Sequence, residues 1–576
     1  MFFAAITNKP IKSSLNKTDI QEYQLGRWTL SIWSDQEALL HRENQLIAIY
    51  ENGIFAQTIN ELLFKSGVLI DFNSHSITIA RAPESRRPVY YAFNADNELF
   101  IVSHITLLKE FGIRLEENKA ALPEYFTFRI VMPPQTLYKD IKEVSFASTI
   151  IFNAGVQEIK AQTEKIYRPQ KIDLPNRSVE DASQAVYDIF RKSVNKLGRY
   201  NSDTSCLLSG GVDSSALFSL AKDLLKIKDS YSTSYPFFSG NNNSEKEYAL
   251  SASQMLNSRH HYYEPTSQEY LEGVIEAVCI AEQPVHHLQS VLLHLLMKNR
   301  PEMKKIIING HGGGALFGNL DIFYNYPPKR NLDYYFFKIL GRITQRNLNC
   351  YILDHQKIIS REISDPKNDL WNFRAYGDKQ WVSQYFHVDQ LDIIKNRIGS
   401  LLDFSHTSVF DCWAIYSLLS DEGVTCSIWG KIEEHHHRFH YCPFYDNDLL
   451  NAVYSLPWRL KLSDRKHQIR YEIARKAGVP EAIVTRPKNS FGIDTAYWAK
   501  SGGAFQPLAE LARSVFDIKE IEKLQGGDYH KGMTYWNVIN YAIWKRIFID
   551  NEPVNDLKAE LKGSLDKLSN FSGKNN

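Results

Sequence analysis

From residue 1 to about 160, short apolar runs alternate with Asn, Gly and charged turns: Trp28 to Trp33, Leu46 to Tyr50, Val68 to Phe72, Ser76 to Ala80, Val89 to Phe93 and Leu99 to Val102. Runs this short with this punctuation predict strands, so the amino-terminal part reads as a β-rich domain with a few helices. After a polar connection from Glu164 to Val179 the pattern changes. Thr204 to Leu208, Tyr231 to Phe237, His260 to Tyr263 and Lys305 to Ile308 are strand candidates separated by amphipathic helical segments, which predicts a parallel sheet covered on both faces. Beyond Phe317 the chain reads as mainly helical and aromatic, without a repeat period. The last 25 residues are rich in Lys, Asp, Asn and Ser and are expected to fray. The expected division is 1–165, 180–550 and a polar tail over 551–576.

Composition narrows the possible roles. A chain of 576 residues is long enough for two or three domains with real cores. Its 67 basic and 66 acidic residues leave a net charge of +1, so no broad field favours nucleic acid or an anionic membrane, and partners must be recognised locally. No window approaches a membrane-spanning apolar run, and the opening Met1 to Ile6 is too short and uncharged for a signal peptide, which places the chain in the cytoplasm. Cys206, Cys279, Cys350, Cys412, Cys426 and Cys442 are widely spread without a CxxC pair, as expected of reduced, mostly buried thiols.

The clearest chemical signal lies at the junction between the strand at 204–208 and the helical run from Val212 to Lys226. There the chain reads Leu207-Leu208-Ser209-Gly210-Gly211-Val212-Asp213-Ser214-Ser215. Gly210 and Gly211 let the backbone approach a ligand, and free amides at the positive helix end converge on one anionic pocket. Ser209, Ser214 and Ser215 add hydroxyl donors, Leu207 borders the pocket, and Asp213 is placed to hold a magnesium ion against phosphates. Val212 stands where a Walker loop carries its Lys, so the turn is a pyrophosphate cradle of another type. It resembles the SGGxDS signature of the ATP-pyrophosphatases, which cleave ATP between its first and second phosphates.

Around that turn the chain resembles the asparagine synthetase family at several places in the family's order. These are Ser244-Glu245-Lys246-Glu247-Tyr248-Ala249, Glu282-Gln283-Pro284-Val285, the glycine-rich run Gly310 to Gly318, Pro443-Phe444-Tyr445-Asp446, Lys466 with Arg470, and Arg486 to Gly492. Arg87 to Tyr91, Ser103, Lys109 and Pro134 to Ile141 look like the glutaminase domain of the same enzymes, so the resemblance spans roughly residues 20 to 550, weakest near 320 to 400. It implies an Ntn-hydrolase-like αββα sandwich, then an ATP-pyrophosphatase α/β domain with a helical carboxy-terminal part. The implied chemistry is adenylation of a carboxylate, with ATP and Mg2+ as cofactors. Glutaminase action in that family needs an amino-terminal cysteine. This chain begins Met1-Phe2-Phe3 and has no cysteine before Cys206, so the first domain is expected to be a degenerate scaffold.

That loss, with His311 as the second residue of a GHGG loop, resembles the lasso-peptide macrolactam synthetases within the family. The resemblance implies a precursor peptide as substrate, closure of an isopeptide ring by its own amine, and a leader-peptide protease or recognition protein as a further partner. His311 is the candidate base, since a neutral imidazole suits proton removal near pH 7. Lys488 is the candidate for stabilising developing oxyanion and pyrophosphate charge, with Arg486 assisting. Gly310 and Gly312 belong with the nucleotide pocket. The chain departs from its relatives at Gly314, where they carry a second magnesium-binding Asp; Asp213 is left alone unless Asp321 swings in. The run Glu433 to His440, with Cys442 nearby, reads either as a metal site or as a polar loop at the peptide entrance, the latter favoured because neighbouring histidines rarely converge. Asn331 to Phe337 reads as helix core. Two rivals stay open: an asparagine-synthetase-like or β-lactam-synthetase-like ligase acting on a small acid, and a lapsed paralogue acting as a binding partner.

Overall fold

Strand formation in the first domain follows from residues that are buried on one face or on both. A computed structural model describes residues 1–9, 20–34, 40–43, 46–50, 67–81, 87–146, 148–155, 158–166, 169–175, 178–236, 244–317, 343, 375–401, 416–461, 468–486 and 494–572. The first domain contains β1 (Phe2–Thr7), β2 (Gln21–Leu25), β3 (Trp28–Ser34), β4 (Leu40–Glu43), β5 (Leu46–Tyr50), β6 (Gly67–Asp71), β7 (Ser76–Arg81), β8 (Tyr90–Phe93), β9 (Leu99–Val102), β10 (Ile141–Glu143), β11 (Ser148–Ala154) and β12 (Ile159–Ile166). They form two six-stranded sheets of order β10-β8-β9-β1-β3-β2 and β12-β11-β7-β6-β5-β4, with every pairing antiparallel.

Side-chain alternation explains how the sheets stack. In β1, Phe2, Ala4 and Ile6 join Ile77, Ile79, Ile150 and Phe152 in the core between the sheets. Phe3 and Ala5, on the other face, join the larger core shared with the second domain. β1 is therefore a continuous apolar run, buried throughout. β11, with one face outward, alternates buried and half-buried positions. The strands expected at 28–33, 46–50, 68–72, 76–80, 89–93 and 99–102 are present with ends shifted by a residue or so, and β1, β2, β4 and β10 to β12 add to them.

The second domain holds one parallel sheet of β13 (Thr204–Leu207), β14 (Asp229–Thr233), β15 (Arg259–Tyr263), β16 (Ile306–Ile308) and β17 (Phe439–Tyr441), in the order β15-β14-β13-β16-β17. The chain runs outward from β13 through β14 to β15, then returns to β13's other side with β16. That reversal opens a crevice beyond the carboxyl ends of β13 and β16, where such sheets bind ligands. The strand expected to run to Phe237 ends at Thr233, and Phe237 lies outside the described residues.

The carboxy-terminal expectation is corrected. Helix Val554–Ser572 occupies most of the supposed polar tail, and Leu557 and Leu561 on it are fully buried. Spaced four apart, they form an apolar stripe on an otherwise charged helix. Arg546 donates to Glu552 at 2.7 Å and to Glu560 at 2.8 Å, tying the helix down at its start. No described helix is long and apolar enough to cross a membrane.

Candidate functional site

The turn after β13 is shaped by what surrounds it. Gly210 has φ +74°, and a Cβ there would overlap the carbonyl of Tyr248, so only glycine fits. Helix Val212–Leu225 follows, with Gly211 at its N-cap and no side chain capping it, which leaves its first amides to a ligand. Oγ of Ser209 lies 3.0 Å from Oγ of Ser214 and accepts from the Gly211 amide at 3.3 Å. Ser215 is fully buried, and its hydroxyl has no hydrogen-bond partner among the described residues. Leu207 ends β13 beneath the turn, half-buried.

The glycine turn after β16 lies directly on this helix end. A Cβ at Gly310 would come 2.6 Å from the Ser214 amide nitrogen, and one at Gly313 would come 2.7 Å from Cγ of Asp213. Gly312 has φ +86° and faces the ring of Tyr445, 2.8 Å from where its Cβ would stand. The two turns therefore pack against each other at the mouth of the crevice expected beyond the carboxyl ends of β13 and β16.

His311 is held from several directions. Its amide donates to Oδ1 of Asn309 at 2.9 Å, and its carbonyl accepts from Sγ of Cys442 at 2.7 Å. The imidazole packs on Trp429 with centroids 4.7 Å apart. Its Nε2 lies 2.6 Å from Oε2 of Glu422, in contact though not aligned as an ideal hydrogen bond. Tyr445 Oη donates to the same Glu422 oxygen at 2.8 Å. Burial works against ionising Glu422, but the facing imidazole of His311 and the Tyr445 hydroxyl outweigh it and hold the carboxyl down at about 2. Glu422 ends a π-helical turn, Leu418–Glu422, that leads into helix Gly423–His435. π-turns of this kind are frequent at functional sites.

Asp213, expected as a magnesium ligand, makes a two-pronged ion pair with Arg470. Nε of Arg470 donates to Oδ1 at 2.5 Å and Nη2 contacts Oδ2. Arg470, on helix Gln468–Lys476, is buried, and a guanidinium matches a carboxylate along both oxygens. Gly314 contributes no side chain, and nothing stands within 4 Å of where its Cβ would be. This donor set, one carboxylate already satisfied by a guanidinium, does not fit a protein-held magnesium ion.

Arg486 lies at the outer edge of the crevice, its guanidinium 3.5 Å over the ring of Tyr248, whose backbone abuts Gly210. Burial lowers the Arg486 pKa, and burial pushes Glu245 on the neighbouring helix up to about 7 against the pull of Arg486. Lys488, Lys466, Gly318, Asp321 and Asn331 to Phe337 lie outside the described residues.

The histidine run does not behave as one site. Helix Gly423–His435 takes its first part, and His436 Nε2 lies 3.0 Å from Nδ1 of His294. His440 sits in β17 with Nδ1 2.6 Å from Oε1 of Glu433, both buried. No metal-binding group of three or more His, Cys, Asp or Glu occurs among the described residues. The run is thus helix end and strand, not an entrance loop, because the apolar Phe439 and Tyr441 pull it into the sheet edge.

Sequence reasoning missed Glu422. It stands more than a hundred residues from His311, and nothing local marks it except an Asp421-Glu422 pair within an apolar helix. Asp446 of the Pro443 to Asp446 motif has a local role. It caps helix Asn447–Ser455 through the Asp448 amide at 3.1 Å and pairs with Lys196 at 2.5 Å.

Comparison with known proteins covers the same ground. The asparagine synthase family model matches residues 185–525, and a glutamine amidotransferase domain model matches residues 21–164. Asparagine synthetase [glutamine-hydrolyzing] 1 of Bacillus subtilis is 20% identical over 508 residues, 83% of this chain and 76% of that protein. A putative asparagine synthetase [glutamine-hydrolyzing] of Mycobacterium bovis is 20% identical over 521 residues, 84% of this chain and 76% of that protein. NH3-dependent NAD synthetase from Campylobacter jejuni aligns at 17% identity over 39% of this chain and 94% of that one, with a TM-score of 0.19, too loose a superposition to bear on the fold. The matched span includes both turns at the mouth of the crevice, and it covers more than half of the chain. On that footing the protein belongs to the asparagine synthase family and is an ATP-dependent carbon–nitrogen ligase releasing AMP and pyrophosphate.

Proposed function

We propose that this ligase is a macrolactam synthetase of the lasso-peptide type. It activates an Asp or Glu side-chain carboxylate of a precursor peptide as the acyl-adenylate, and the peptide's own amino-terminal amine attacks to close an isopeptide ring. The observation that carries the reading is the contact of His311 with Glu422 in the turn packed on the phosphate-binding helix. With Nε2 facing the carboxylate, the imidazole keeps its lone pair on Nδ1, the nitrogen that takes the proton of the attacking amine. Glu422 stabilises the imidazolium as it forms. The uncapped helix amides at 211–214, with the Ser209 and Ser214 hydroxyls beside them, receive the departing pyrophosphate. Lys488 and Arg486 add positive charge where the oxyanion and pyrophosphate develop. Any magnesium would be held by the nucleotide's phosphates rather than by Asp213, which Arg470 already satisfies.

The amine does not come from glutamine. The amidotransferase-like domain has no cysteine to form a thioester, since the first thiol in the chain is Cys206. An amine within the substrate removes the need for one.

A second reading, a catalytically lapsed paralogue acting as a binding partner, is favoured by the pairing of Asp213 with Arg470 and by Gly314. One experiment separates the readings. The full chain is incubated with ATP, magnesium and a synthetic peptide with a free amino terminus and internal Asp and Glu, and in parallel with aspartate and ammonium chloride. AMP and pyrophosphate with loss of one water from the peptide supports the macrolactam reading. Asparagine formation replaces it with a small-acid ligase. AMP release in neither arm, with peptide binding retained, favours the lapsed paralogue.

A further inference from the structure

The residues on either side of Glu422 are both held by arginines of the first domain. Arg81, at the end of β7 and 1% exposed, donates through Nη2 to the Gly423 carbonyl at 3.0 Å and to Oγ of Ser427 at 2.7 Å. Its Nη1 donates to Oε1 of Glu143 at 2.6 Å, an oxygen that also accepts from Ser427 at 2.6 Å. On the other side, Nη2 of Arg129 lies 3.9 Å from Oδ2 of Asp421. The Arg129 guanidinium stacks 3.8 Å over the ring of Tyr376, whose hydroxyl donates to the same Asp421 oxygen at 3.2 Å.

Two further features mark this contact as built rather than incidental. Arg129 closes helix Leu122–Phe128 in the left-handed region, φ 61°, which is uncommon for a residue with a side chain and turns the chain toward the second domain's Asp421. Gly423 has no room for a side chain, since a Cβ would stand 2.8 Å from Cβ of Phe146 in the first domain. Burying a guanidinium is costly unless its donors find acceptors. Here Arg81's two terminal nitrogens find a carboxylate, a hydroxyl and two carbonyls, those of Val144 and Gly423. A domain that only covered the second domain's apolar face would need none of this. The π-turn is an uncommon backbone shape. Its exit is where the two arginines act.

We propose that the amidotransferase-like domain, which has no thiol, serves as the positioning element of the His311–Glu422 pair. Arg81 and Arg129 grip Gly423 and Asp421, fixing the π-turn so that the Glu422 carboxylate meets the imidazole. The assignment rests on the reading of that pair given above. Both arginines are positioning residues, since neither touches the reacting atoms.

Diethyl pyrocarbonate acylates an imidazole nitrogen that is neutral and within reach. The rate of His311 modification at pH 7, read by mass spectrometry of its peptide from the full chain and taken relative to His260 of β15, therefore reports how firmly Glu422 holds the ring. The groups packed on His311 are Glu422, Tyr445, Cys442 and Trp429, and none is altered in the arginine variants. E422Q should raise the relative rate at least about threefold, since the opposed carboxylate that holds the imidazole is gone. The double variant R81M/R129M should raise it by at least half as much, with Glu422 itself intact. Should that variant not fold, S427A combined with R129K carries the same test with a smaller rise. A relative rate unmoved in the arginine or serine variants, while E422Q moves it, overturns the positioning role and leaves the pair's reading standing. A relative rate unmoved in E422Q overturns both.

Discussion

Nε2 of His311 and Oε2 of Glu422 lie 2.6 Å apart at the meeting of two elements distant in sequence, the turn after β16 and the π-turn Leu418–Glu422. If the imidazole removes the amine proton, its loss affects the second half-reaction and spares the first. H311A is expected to slow amide formation by about 10²–10⁴-fold, the usual contribution of a general base. ATP–pyrophosphate exchange, which reports adenylation alone, should stay near the unaltered rate. Single-turnover measurements of acyl-adenylate formation and decay distinguish the two steps. Equal losses in both would remove His311 from proton transfer.

The pairing of Asp213 with Arg470 leads to a prediction by addition. A Cβ at Gly314 meets open space, so G314D should fold normally and place a second carboxylate beside the crevice. With R470M it also releases both oxygens of Asp213. The double variant should bind Mn2+ without nucleotide at least about tenfold more tightly than the unaltered chain, a gain of about 1.4 kcal/mol. Electron paramagnetic resonance of free Mn2+ gives the answer. Equal affinities in the two proteins would show that the carboxylate pair is not what metal binding lacks.

Acid stability depends on carboxylates at the domain junction. Glu282 is buried, accepts from the amides of Ile105 and Thr106 at 2.9 Å each, and contacts Lys431. Burial raises its pKa, but Lys431 and His104 and the hydrogen bonds outweigh that and set it at about 2, below the ordinary 4.5. The unfolded chain therefore binds the proton first. The stabilisation is complete above about pH 4.5 and is lost as pH falls through about 2. E282Q leaves Lys431 buried without its charge partner, at a cost of about 3–5 kcal/mol at pH 7. Urea unfolding at pH 7, 5 and 3 should show the gap between the two proteins closing toward low pH. A constant gap would mean that the ion pair is not its source.

How much of this was legible in the sequence depended on how local the cause was. Gly210, Gly310 and Gly312 announced themselves because close backbone approach and positive φ leave a glycine at a strand-to-helix turn. Glu422 did not, because its role is set by a partner that folding brings from another part of the chain, and a carboxylate in an apolar helix carries no spacing signal. The Asp213–Arg470 pair was hidden for a related reason. Both residues were named from motifs, but that they neutralise each other depends on where helix Gln468–Lys476 packs. β1 was read only as too short for a signal peptide, since a strand buried on both faces has no alternation to detect.

The carboxy-terminal helix was misread because composition outweighed periodicity, and its energetics are testable. Lys558, Glu560 and Lys562 suggest a solvated tail, yet Leu557 and Leu561 beside them are fully buried in the large core. Lys558 also pairs with Glu276 at 2.5 Å, on the helix Ser267–Ala281 that flanks the parallel sheet. L561A should then cost about 2–5 kcal/mol, the range for emptying a fully buried leucine site. K558A, whose partner Glu276 keeps Lys298 at 2.8 Å and His294 at 2.8 Å, should cost under about 1 kcal/mol. Chemical denaturation of the two variants checks both numbers. A silent L561A would return the segment to the frayed tail that its composition suggested.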